Sequence, residues 1–180
     1  MSFRDIATDP RLGHALRELQ RKGIYGAVER VRRNYAIVAF DVLATANYII
    51  TEELNRLKKD YVKGYVDKDD RAAVFAIELP DYEAVPEPED VLRRTEEDIS
   101  ERLRRRGIPA VAKIEDERHA YVAIDLVGLA HWIGRQARAT MPRELRSAYH
   151  VDEEELVTLL HLWTGPTPEE VKGVVSAEED

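Results

Sequence analysis

Twice in this chain the apolar residues alternate, one on and one off, across a charged turn. The stretches are YVKGYVDKDDRAAVFAIEL (residues 61–79) and AVAKIEDERHAYVAID (residues 110–125). A period of two puts successive side chains on opposite faces of a strand, and a charged turn between two such runs makes a β-hairpin. Two hairpins predict a four-stranded antiparallel sheet. Val62, Val66, Phe75, Ile77, Leu79, Ala112, Ile114, Val122 and Ile124 form its core face. The other face receives Tyr61, Lys63 and Tyr65, then Ala72, Val74, Ala76 and Glu78. From the second hairpin it receives Val111, Lys113 and Glu115, and His119, Tyr121 and Ala123.

Helices are expected around these hairpins. Asp9-Pro10 reads as an N-cap with Pro in the first turn of a helix over residues 10–22, stopped by Gly23. From Ile24, apolar residues recur at Val28, Val31, Tyr35, Val38, Val42 and Ile49 in steps near three and four. That spacing predicts one long N-terminal helix reaching about Lys59, with Asp41 as a buried acid inside it. Further helices are expected over residues 86–106, ended by Gly107, and over residues 127–140, ended before Pro142. A turn follows near residues 143–148, and DEEELVTLLHLW reads as a last short helix. The fold class is therefore α+β: one sheet of two hairpins, helices mainly on one face, and a long N-terminal helix. Residues 1–150 are read as a single domain and residues 151–180 as a short acidic helix with a flexible tail. No repeat of solenoid length is present.

The chain contains no cysteine, which excludes disulfides, thiolate metal sites and cysteine nucleophiles. Its 20 Arg, 2 Gln and 3 Asn lean toward a thermophilic composition. MSFRDIATDPRLGHALREL has no apolar core of a signal peptide. YAIVAFDVLATANYII carries Asp41 and Asn47 and is too short to span a bilayer. A cytoplasmic protein with no membrane association is expected. The net charge is −8, and residues 151–180, with 9 acids and one Lys, account for all of it. Residues 1–40 and 126–150 are locally basic.

No Gly-rich phosphate loop, G-x-S-x-G or H-E-x-x-H occurs, and the five histidines show no ligand spacing. His150 with Asp152, or His119 near Asp125, are the only pairings that suggest a base or a metal ligand, and neither has a third partner. No enzyme, cofactor or metal is expected. Flat rings, cations and small alanines on one sheet face instead suit a single nucleic-acid strand. Tyr61, Tyr65 and Tyr121 would stack bases, Lys63 and Lys113 would contact phosphates, and His119 belongs to the same binding surface. Trp132 is read either as core or as another stacking ring, and Arg135 and Arg138 either as a solvated face or as phosphate contacts. The competing reading makes the polar sheet face and the long helix a surface for a protein partner. The acidic tail either solubilises the chain, competes for the basic surface or recruits a protein.

The hairpin–helix–hairpin order resembles the archaeal ThermoDBP-related single-stranded DNA-binding proteins. The resemblance lies in YVKGYVDKDDRAAVFAIEL and IPAVAKIEDERHAYVAIDLVGLAHWIGRQAR. It implies sequence-independent binding of single-stranded DNA beside the sheet, without a cofactor, by a homo-oligomer. Binding of RNA is the alternative the residues leave open. The acidic end after Val151 departs from the long C-terminal zipper of that family's best-known member.

Overall fold

A computed structural model describes residues 5–81 and 84–178. In chain order it contains α1 (Pro10–Gln20), β1 (Gly26–Arg32), β2 (Tyr35–Asp41), α2 (Val42–Leu57), β3 (Val62–Asp67) and β4 (Ala72–Glu78). These are followed by α3 (Pro88–Arg105), β5 (Ala110–Ile114), β6 (His119–Asp125), α4 (Leu126–Thr140), β7 (Arg146–Asp152), β8 (Val157–Trp163) and α5 (Glu169–Glu178). The strands build two antiparallel sheets, not one: β1-β2-β8-β7 and β3-β4-β6-β5. The chain divides into two compact units, residues 1–45 with 130–180, holding the first sheet, and residues 46–129, holding the second. Among the described residues no helix is long and apolar enough to cross a membrane.

The expected long N-terminal helix is absent. Residues 26–41 form the hairpin β1–β2 instead, and helix begins only at Val42. The reason is burial on both faces. Tyr35, Ala36, Val38 and Phe40 are at most 1% exposed. A strand covered on both sides reads as a continuous apolar run, which periodicity cannot separate from a buried helix. DEEELVTLLHLW is likewise a turn followed by the central strand β8, and the expected boundary at residue 150 falls inside β7. Asp41 is exposed and caps α2, its Oδ1 accepting from the Leu43 N–H at 3.0 Å. The helices α1, α3 and α4 and both expected hairpins form close to their expected bounds, and the Asp9 side chain caps α1.

The two-sheet arrangement exposes a duplication. Leu19, Gly23 and Ile24 at the end of α1 correspond to Leu103, Gly107 and Ile108 at the end of α3. Each isoleucine N–H returns to the leucine carbonyl, at 3.0 and 2.9 Å, across a glycine at positive φ. YAIVAFDVLATANYI corresponds to HAYVAIDLVGLAHWI through β2–α2 and β6–α4. Asp67 and Asp152 each accept from two backbone N–H groups in their hairpin turns, which close on Arg71 and Leu156 at positive φ. The Arg71 carbonyl then accepts from the Leu126 N–H, and the Leu156 carbonyl from the Val42 N–H. Each repeat is helix–hairpin–helix–hairpin, and each sheet takes one hairpin from each repeat. Helix α5 lies outside the duplication.

Candidate functional site

In the second sheet α2 and α3 cover one face. Val62, Gly64 and Val66 alternate toward the helices, and Gly64 matters because a Cβ there would overlap Ile50 Cγ2 of α2. Phe75, Ile77, Val122 and Ile124 are fully buried on the same side. Ile114, expected in this core, is 50% exposed. It ends an edge strand, where only Ala120 stands beside it.

The opposite face is open, and strand pairing arranges it in rows. One row reads Lys63–Ala76–Tyr121–Lys113 and the next Tyr65–Val74–Ala123–Val111. Glu78 lies opposite His119 beyond the first row, and Asp67, Ala72 and Asp125 close the other end. Neighbouring strands lie about 4.8 Å apart, so the two lysines stand roughly 14 Å apart on the edge strands. On the central strands Ala72, Val74, Ala76 and Ala123 make a low floor from which the half-buried Tyr121 ring rises. Tyr65 and Val111, at 51% and 69% exposure, wall it. Neither Lys63 nor Lys113 has a carboxylate partner among the described residues.

A cleft of about 440 Å³ opens at the Glu78–His119 end, lined by Tyr61, Lys63, Glu78, Asp81 and His119 among others. His119 Nδ1 lies 2.8 and 3.0 Å from the two carboxylate oxygens of Asp116, not near Asp125. That hydrogen bond raises the imidazole above its ordinary range. The Arg118 backbone N–H and His119 together lower Asp116. Tyr61 precedes β3 and escapes its alternation: its hydroxyl is 3.4 Å from Thr95 Oγ1 of α3, which ties the ring toward the helix. Asp125, on the open face, caps α4 through the Val127 and Gly128 N–H groups.

Not every expected site residue joins this face. Trp132 is 3% exposed among Leu129, Ala130 and Ile133 and is core, because a large ring on the apolar stripe of α4 gains more from burial than from water. Arg135 and Arg138 are exposed on α4, in the other unit. The open face thus collects Lys63, Tyr65, Lys113, His119 and Tyr121.

Two clusters had no counterpart in the sequence reading. Glu53, fully buried on α2, accepts from Arg56 of its own helix and from Arg102 of α3. In the first sheet, His161 Nδ1 is 2.7 Å from the Tyr35 hydroxyl and its Nε2 is 3.0 Å from His150 Nδ1, with the three rings stacked. The duplication is the signal for the second cluster, since it aligns Tyr35, His150 and His161 with His119, Tyr65 and Ala76, which share one sheet face. Among the described residues no three His, Asp or Glu side chains converge as a metal site. Comparison with family models, curated proteins and solved structures gives no match for this chain.

Proposed function

We propose that the open face of the second sheet binds single-stranded nucleic acid, DNA in the first instance, without sequence preference and as a binding surface, not a catalyst. The observation that carries this reading is the row Lys63–Ala76–Tyr121–Lys113, in which two unpaired ammonium groups flank a ring on an alanine floor. Every base has a π-face, so a ring on a low floor stacks bases indiscriminately, while the lysines meet phosphates. The same chemistry underlies the proposed kinship with ThermoDBP-related proteins. The cleft beside His119 is lined by Asp60, Glu78 and Asp81, and the imidazole is paired with Asp116, so the lysine–tyrosine row alone supplies the free positive charge of this reading.

A fluorescent oligo-dT and the matching duplex, titrated at two salt concentrations, test the proposal. Single strands should bind in preference to duplex. Tyr65→Ala with Tyr121→Ala should weaken binding by roughly 1–3 kcal/mol per lost stacking contact. Lys63→Gln with Lys113→Gln should flatten the plot of log K against log salt by about 1.4, or 0.7 per phosphate. Absence of salt-dependent single-strand binding at micromolar protein overturns the reading. The exposure of Tyr65, Val111 and Ile114 on or beside this face then favours a protein partner, whose complex should survive nuclease treatment.

A further inference from the structure

We propose that the first sheet carries a second face for the same ligand and that the acidic helix α5 covers it. The inference rests on the reading of the second sheet above. Through the duplication, Tyr35 stands where His119 stands, Ile37 where Tyr121 does, Ala148 where Lys63 does and Trp163 where Glu78 does. Register sets Tyr35, Trp163 and Arg146 in one row, with His161 on the same face. Neither lysine recurs, since Ala148 replaces Lys63 and Glu29 replaces Lys113; the cations of this face are instead Arg146 and Arg32, beside the rings of Tyr35, Trp163 and His161.

Helix α5 has no counterpart over the second sheet, where the chain after β4 leads into α3. Over the first sheet Val171 is fully buried against Tyr35, Ala148 and Trp163, with Ile37 and Val174 beside them. Its carboxylate Glu170 takes a bidentate pair from Arg32, both contacts at 3.0 Å, and the Arg32 guanidinium lies 5.3 Å from the centre of the Tyr35 ring. A carboxylate held on a fork of N–H donors above an aromatic ring occupies the place a phosphate would take beside a stacked base. The pair lowers Glu170 and raises Arg32, so both stay charged at neutral pH. Beneath the helix, Trp163 is 4% exposed and its Nε1–H has no acceptor among the described residues. A buried donor without a partner is rare in a settled core. A base or sugar oxygen under a displaced α5 would supply the acceptor. Burial of Val171 is what holds the cover, and the ion pair adds little, since Arg32 and Glu170 are both half exposed.

The test uses the full chain in a Trp132→Phe background, which leaves Trp163 as the only tryptophan reporter. Glu170→Gln with Val171→Asp loosens α5 without changing net charge. Short oligo-dT is titrated by anisotropy and by tryptophan emission. The parent should bind one strand per chain, and the double variant two, with Trp163 emission quenched by the oligonucleotide. The proposal is overturned if the double variant is folded by circular dichroism, exchanges its α5 amides freely, and still binds one strand with unchanged Trp163 emission. Should that variant not fold, Glu170→Gln alone decides against Glu169→Gln, which changes charge equally but removes a pair with Lys172 of the same helix. At least threefold tighter binding in Glu170→Gln supports the proposal, and equal affinities overturn it. Failure of every protein to bind oligo-dT overturns the reading of the second sheet as well. One-strand binding abolished by Tyr65→Ala with Tyr121→Ala, with no second strand in any variant, overturns this inference alone.

Discussion

The histidines show how completely a side chain's chemistry depends on partners that sequence neighbours do not reveal. His119 and His161 sit on central strands of equivalent sheets, yet their protonation moves in opposite directions. His119 is held up by its hydrogen bond to Asp116, three residues away and visible in the sequence once the turn is placed. His161 is pushed down to about 4, first by burial and then by His150, which reaches it only through the pairing of β7 with β8. The signs follow by linkage. Above pH 6.5 His161 is neutral in both folded and unfolded chains and favours neither. As pH falls from 6.5 toward 4 only the unfolded chain takes the proton, and stability is lost, up to about 3 kcal/mol at 1.36 kcal/mol per pKa unit. His119 contributes stability below pH 6.5 that fades as pH rises through its raised value. NMR titration should place the His119 midpoint above 6.5 and return it toward 6.5 in Asp116→Asn. Urea unfolding between pH 7.5 and 4.5 should show a steeper loss in the parent than in His161→Gln. Equal slopes would mean that His161 takes a proton in the folded protein as readily as in the unfolded chain.

Elements of one kind were legible where one face is wet. The hairpins 61–79 and 110–125 alternate because their outer face meets water, and α1, α3 and α4 carry caps and stops written in Asp, Pro and Gly. The hairpins of the first sheet were illegible for the converse reason. With α5 on one side and the core on the other, β2 and β8 show no polar face to betray a period of two. Close helix–sheet contact uses reciprocal shapes in the two repeats. In the second unit Ile50 of α2 fills the gap left by Gly64 of β3. In the first, Tyr149 of β7 fills the gap left by Gly134 of α4. The large partner comes from the helix in one case and from the strand in the other. Added bulk at either glycine must displace that partner, which costs about 1–3 kcal/mol. Gly64→Ala should therefore destabilise the parent by that amount and cost clearly less in an Ile50→Ala background. A double-mutant cycle in urea measures the difference, and additive effects would show that the Cβ meets some other group.

At the scale of the molecule, the duplication sets how far the chain must reach to close each sheet. The second sheet joins neighbouring hairpins, with Ala76 beside Tyr121, whereas the first joins the outermost ones, with Val38 beside Leu160. Strand pairing across so much sequence left no local trace, which is why one sheet was expected where two form. Yet the repeat itself was legible, since YAIVAFD and HAYVAID share alanine, valine and aspartate at matching steps. It lies beyond the length of solenoid repeats and joins segments expected to differ in secondary structure. From Val38 to Leu160 the chain closed by the first sheet is about 2.7 times as long as that from Ala76 to Tyr121, and (3/2)RT ln n gives an extra entropic cost of about 0.9 kcal/mol. Closure cost enters before the contacts that repay it, so the second sheet should form earlier in folding, by a factor of about four in rate where closure limits. Pulsed hydrogen exchange during refolding from urea tests this directly. Amides of β4 and β6 should be protected ahead of those of β2 and β8. Simultaneous protection of all four would show that the two sheets form in a single concerted step, governed by packing and not by loop length.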